Sequence, residues 1–343
     1  MEKEVRRVYT HATSISYLRI FATVCVIFLH TCSTLTDNQS VFALNNGQRL
    51  FFEIMHQIMA WAVPAFFMIT GTLFLRKETN NGVYDYIFKY SKKILLALLC
   101  FGIPYSILKF ASSGKLGKDV FGRSILAIIT DESFGHLWYL YVLIGIYLIM
   151  PILKRFTDNA SEQEIKFILF TIFLLDFVFP CISELIDIEI AFKSQVLYPI
   201  FYVLLGHWLY NNRNRYSKKK SVFLMLFVII VICVINLMDW NCSIWTRYDS
   251  PLIAILASTI FILFVTKYWR NFGCLWSIDR LCFGAYLIHP LFIQFTYRFL
   301  NITPLVTNLY PIMTIVLFFI FVFLSFLSSW MLRKNKIIKK YIL

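Results

Sequence analysis

Polar residues are scarce along this chain, and they fall between long apolar runs rather than alternating with apolar neighbours. Repeated stretches of about 17–22 mostly apolar residues are the length at which a helix crosses a bilayer. Reading by run length predicts about ten such helices, at 15–35, 54–75, 92–110, 136–153, 165–183, 196–211, 221–238, 251–267, 282–300 and 310–332. The expected fold class is therefore all-α: a polytopic membrane helix bundle, forming a single integral membrane domain over residues 1–343. The polar gaps at Asp37–Glu53 and Lys109–Gly135 are too short for a soluble domain. The first span lacks a small-residue cleavage pattern at its end, so it reads as a signal anchor.

Composition fits this picture: 59% of residues are hydrophobic and 15% charged. Net charge is +14, and its distribution says why. With Lys3, Arg6 and Arg7 on the cytoplasmic side, ten spans return Arg333, Lys334, Lys336, Lys339 and Lys340 to that side. Roughly 24 Lys and Arg residues then lie on the cytoplasmic side and roughly 8 on the other. Both termini are thus expected in the cytoplasm, in the cell membrane, with membrane lipids as partners and no nucleic acid. Cys25, Cys100 and Cys233 lie inside spans as small hydrophobes. Cys32, Cys181 and Cys242 all fall toward the outer face, leaving one disulfide open. No spacing suggests a metal.

The first span carries two residues foreign to lipid, Arg19 and His30. At 3.6 residues per turn they share one helix face, about 16 Å apart. Arg19 reads either as a snorkelling side chain or as a phosphate clamp. His30 reads either as an interfacial residue or as a base or acyl carrier. The second span holds Pro64 and Gly71, expected to loosen the helix, and then Arg76 and Lys77. The fourth opens with His136 and Trp138, and the ninth holds His289 before Pro290. The competing role is that of an interfacial aromatic-belt residue for His136 and a helix–helix hydrogen bond at the Pro290 kink for His289. Glu53 and His56 fall at the outer start of the second span, where they would neighbour His30. Asp176 is a lone acid within the fifth span and requires a partner. Trp240, Trp245 and Tyr248 either stack on sugar rings or anchor the interface.

Together these motifs resemble the membrane-bound acyltransferase family 3, whose members O-acylate cell-surface glycans. The likeness rests on Arg19 and His30 at their spacing, on Val63 to Gly71, on the basic Lys89, Lys92 and Lys93, on His136–Leu140 with Tyr147 and Pro151, and on Tyr286–Pro290. The basic segment departs from the family pattern in carrying lysines where arginine is usual, and His207 stands where tyrosine is common. The resemblance points to a standalone branch without a hydrolase-like domain. It implies an acyl-CoA donor (acetyl-CoA first, succinyl-CoA as the alternative) used as a substrate, with no bound cofactor. The acceptor would be a surface polysaccharide or a lipid-linked sugar. Under this reading His30 and Arg19 are catalytic, and Arg19, Arg76, Lys89, Lys92 and Lys93 hold the CoA. Glu53, His56, His136 and Trp138 meet the acceptor, while Pro64, Gly71, His289 and Pro290 are structural. The competing expectations are a transporter or exporter of glycan intermediates and a non-catalytic sensory module.

Overall fold

The computed structural model describes residues 2–343 except 39, 77–82, 113, 193, 195, 239–243, 246, 268 and 271. The expected Lys77, Trp240 and Cys242 lie outside the described residues. Among the described residues there is no strand, and the molecule is a bundle of helices. Helix α1 runs Glu2–Thr36, followed by α2 (Asn46–Met59), α3 (Ala62–Phe74), α4 (Val83–Ser112), α5 (Val120–Ile129) and α6 (Trp138–Asn159). Then come α7 (Glu162–Phe173) and α8 (Phe179–Leu185), α9 (Tyr198–Asn211), α10 (Lys218–Leu237) and α11 (Pro251–Thr266). The chain ends with α12 (Leu275–Asp279), α13 (Cys282–Gln294), α14 (Tyr310–Leu332) and α15 (Lys336–Tyr341).

Among the described residues, seven helical segments are long and apolar enough to cross a membrane. The stretches expected to span at 196–211 and 251–267 form the short helices α9 and α11, of 14 and 16 residues, and that at 282–300 forms α13, of 13 residues, continued without a break by a π-helical segment over Phe295–Phe299. These three are enclosed: most of their side chains are buried against neighbouring helices, so protein rather than lipid surrounds them. Run length cannot tell such an enclosed helix from a lipid-facing span, because both are apolar on every side.

Of the two residues expected to loosen the second span, Pro64 does so and Gly71 does not. The second span breaks at Ala60–Trp61, four residues before Pro64, whose missing N–H leaves the Ala60 carbonyl without its helical donor. Gly71 does not loosen α3. A Cβ there would lie 1.8 Å from the Val203 carbonyl oxygen, and one on Gly206 would lie 2.2 Å from the Met68 carbonyl oxygen. The pair lets α3 and α9 touch backbone to backbone, the way small residues join membrane helices. Thr72 seals the contact by donating to the Met68 and Gly206 carbonyls at 2.9 and 3.2 Å.

Between α7 and α8 a π-helical segment, Leu174–Val178, carries Asp176. Pro180 cannot donate to the Asp176 carbonyl, and the wider turn accommodates that loss. The Asp176 carboxyl lies near Ser194 and the start of α9 at Leu197 and Tyr198, but neither of its buried oxygens makes a hydrogen bond. A helix N-terminus is where an acid in a span finds compensation. Cys32 and Cys181 are free thiols, so they form no disulfide with one another.

Candidate active site

Arg19 does not stand alone at its end of α1. Its Nη1 donates to both carboxylate oxygens of Asp279 at 2.8 Å, and the Ser16 hydroxyl donates to the same carboxylate at 2.9 Å. Arg19 is 28% exposed and Asp279 9%. A charge in this setting is tolerable because it is paired. The short helix α12 exists in effect to present Asp279 to α1. Sequence spacing gave no hint of it, since the partners are 260 residues apart.

Arg19 and Asp279 line a cavity of about 780 Å³. Lys93, Arg280 and Arg333 line it too, so four cations gather here; Arg19 is engaged by the Asp279 carboxylate, and Arg333 donates to the backbone oxygen of Leu343, another lining residue. Burial first, and then the neighbouring Arg280, push the Arg333 guanidinium below its ordinary range. From this cationic end the walls turn aromatic. Phe74 meets Tyr90 and Tyr147 with ring centroids 5.5 and 5.2 Å apart. Further along, Phe66 and Tyr139 are 6.2 Å apart, and Tyr139 and Tyr286 5.8 Å.

Behind Tyr286 lies a cluster of histidines. His30 and His289 have ring centroids 5.1 Å apart, and His136 and His289 5.7 Å. Tyr286 closes the gap to the cavity, 5.8 Å from His136 and 5.9 Å from His289. His30 is half-buried, whereas His136 and His289 are buried. His56 on α2 approaches His30 closely enough for their charges to interact. His30 itself does not line the cavity. Tyr286 lines the cavity and meets His289, and His289 in turn meets His30.

Pro290 explains the posture of His289. Proline has no N–H for the Tyr286 carbonyl four residues back, and His289 Nδ1 lies 2.7 Å from that oxygen. A carbonyl only accepts, so Nδ1 carries the proton and Nε2 is left as a lone pair. The Tyr286 hydroxyl donates to the His136 carbonyl, and the Tyr105 hydroxyl donates to the Leu287 carbonyl at 2.9 Å. These bonds tie α4, the start of α6 and α13 around the cluster.

The other expected residues fall elsewhere. Lys89 and Lys92 are exposed and away from the cavity wall, and only Lys93 of that basic segment faces inward. Arg76 donates to the Tyr210 hydroxyl at 2.6 Å, outside the lining. Glu53 pairs with Arg49 at 2.7 Å. Trp138 stacks on Tyr248 with centroids 5.5 Å apart. His207 is buried on α9, its Nε2 3.0 Å from Asn211 Nδ2. Asp279, Arg280 and Arg333 were not singled out for the site, because nothing in the local sequence marks a charge at a helix end as facing a cavity.

A cationic mouth, a lined cavity and buried imidazoles suit the transfer of a group carried on an anionic handle, and comparison with known proteins decides the family. The family described as acyltransferase domain, Acyl_transf_3, matches residues 13–334. The chain belongs to this acyltransferase family. It is similar to an amino-acid racemase of Enterococcus faecalis, 21% identical over 344 residues, covering 95% of this chain and 46% of the relative. The chain thus spans about half the length of that protein. It is also similar to the probable poly-beta-1,6-N-acetyl-D-glucosamine export protein of Staphylococcus aureus, 21% identical over 308 residues and 83% of each chain. No solved structure matches it. Seven helices among the described residues that are long and apolar enough to cross a membrane, together with this family, mark a multi-pass membrane protein.

Proposed function

We propose that this acyltransferase moves a short, uncharged acyl group, acetyl in the simplest case, from acyl-CoA to a hydroxyl of a surface or lipid-linked glycan. The observation that carries this reading is the cavity, with four cations at one end and the histidine cluster one ring layer beyond the other. CoA is an anionic nucleotide joined to a long, thin, neutral arm. Its phosphates suit Arg280, Arg333 and Lys93, whose mutual repulsion an anion relieves. Arg19, already neutralised by Asp279, orients more than it attracts. Lipid-side lysines such as Lys89 and Lys92 suit anionic headgroups instead.

In the proposed step His30 takes the proton of the acceptor hydroxyl as its oxygen attacks the thioester carbonyl. The carbon–sulfur bond breaks and the departing sulfur takes that proton, giving an ester and free CoA. Tyr286 and Tyr139 must shift to let the thioester reach His30, a gating motion of side chains rather than helices. The cation-free wall of Phe66, Ile69, Tyr139 and Tyr286 supports an uncharged acyl group. A succinyl carboxylate there would lose its water without gaining a counter-ion. The Lys and Arg distribution supports a cytoplasmic mouth, in the cell membrane.

Membranes given radiolabelled acetyl-CoA should label the glycan fraction, and His30→Ala should abolish the labelling while the protein remains inserted. Equal labelling by that variant removes His30 from the mechanism. Label trapped on His30 would make it an acyl carrier. Succinyl-CoA should be used at least tenfold less well. The Staphylococcus aureus relative's description as an export protein favours a second reading, glycan export. Under that reading acyl-CoA is neither bound nor consumed, and the same labelling experiment separates the two.

A further inference from the structure

We propose that His289 is a positioning residue for His30, resting on the reading above that His30 is the base. Its Nε2 accepts a hydrogen bond from one His30 nitrogen and so leaves the other as the proton acceptor. The proposal starts from Pro290. Because position 290 has no N–H, the Tyr286 carbonyl is free to take the His289 Nδ1 proton at 2.7 Å. That bond fixes both the ring orientation and the tautomer of His289. The remaining nitrogen, Nε2, is buried and has no hydrogen-bond partner in the present arrangement. A buried acceptor without a donor is costly, and such groups mark places where something else must supply one. The ring nearest to it is His30, 5.1 Å away between centroids with the planes tilted by 37°. Rotation of the His30 ring brings an N–H onto Nε2.

His136 is a weaker candidate for the same role. Its ring lies near the Leu287 backbone, but neither ring nitrogen makes a hydrogen bond of good geometry, in contrast to His289 Nδ1. The other ionisable groups around the cluster are His56 from α2, Tyr105 from α4, and Tyr286 from α13 itself. All of them are neutral or weakly basic. No carboxylate among the described residues faces His30 to orient it, as an aspartate does in a serine hydrolase.

The test compares His289→Phe, His289→Gln and Pro290→Ala with the wild type, using radiolabelled acetyl-CoA and membranes carrying the native glycans. Maximal rate and the half-saturating acetyl-CoA concentration are measured per unit of inserted protein, together with thermal stability. His289→Phe should lower the maximal rate at least tenfold with half-saturation changed less than twofold. His289→Gln, which keeps an acceptor, should recover part of that loss. Pro290→Ala supplies an N–H for the Tyr286 carbonyl, so it should be at least as heat-stable as wild type yet several-fold slower. An inserted His289→Phe with normal rate overturns the proposal, as does a Pro290→Ala variant that is stable and fully active. Should His289→Phe fail to insert, the Gln and Pro290 variants decide alone. His30→Ala, run in parallel, reads the underlying assignment. If it still transfers, both fall; if it is inactive while His289→Phe is normal, only this inference falls.

Discussion

Removing the Arg19 guanidinium would leave the Asp279 carboxylate with only the Ser16 hydroxyl for compensation. Breaking a buried pair from one side costs about 3–5 kcal/mol, and the partial exposure of Arg19 points to the lower end of that range. Arg19→Ala should therefore reduce heat stability as well as acyl-CoA use, and Asp279→Asn added to it should restore stability without restoring activity. Thermal unfolding of the two variants in detergent checks this; a stable Arg19→Ala would assign Arg19 to the donor alone. Arg280→Ala and Arg333→Ala should behave differently. Arg280→Ala relieves repulsion, so stability holds, whereas Arg333→Ala also loses the bond to the Leu343 backbone oxygen and should be less heat-stable; half-saturation by acyl-CoA rises about tenfold for each lost charge-assisted bond. Arg19 and His30 could be read from sequence because charge and imidazole stand out in an apolar span. Asp279, Arg280 and Arg333 could not, since at helix ends charge is ordinary and only the fold turns it toward a cavity.

Helices could be located by run length because a membrane-length apolar stretch has few other structures open to it. Their placement in depth was less legible. α9 and α11 are short yet apolar, and it is their enclosure by neighbours that permits the short length. Gly71 shows the same limit. Its neighbours in sequence suggest a weak point, whereas its neighbours in space, Val203 and Gly206, make it a joint. At 1.8 Å from a backbone oxygen an added methyl has nowhere to go, and neither backbone can yield as a side-chain end would. Gly71→Ala should separate α3 from α9 and cost at least the ~1–3 kcal/mol of an overpacked core. Because α3 also supplies Phe66, Ile69 and Thr70 to the cavity wall, acyl-CoA affinity should fall with stability. Loss of stability with unchanged affinity would show that the wall is held independently of this crossing.

At the scale of the whole molecule, the cavity joins two environments that ask for opposite chemistry. One end gathers Lys93, Arg280 and Arg333 beside the Arg19–Asp279 pair, where α12, α13 and the end of α14 converge with α1 and α4. The other end is closed by Tyr139 and Tyr286 in front of the histidines. A donor spanning both must be charged at one end and neutral along the rest, and salt can separate the two contributions. Attraction between exposed cations and phosphates weakens as ionic strength rises, because the screening length contracts from about 10 Å at 0.1 M to about 3 Å at 1 M. Contacts along the aromatic walls do not depend on charge. Half-saturation by acetyl-CoA should therefore rise several-fold between those two salt concentrations. Acetyl-pantetheine, which lacks the nucleotide, should bind more weakly but with little salt dependence. In Arg280→Ala/Arg333→Ala the two donors should converge, since the charge that distinguishes them has gone. If both donors respond to salt alike in the wild type, the cations serve lipid or fold, and the nucleotide must be held elsewhere.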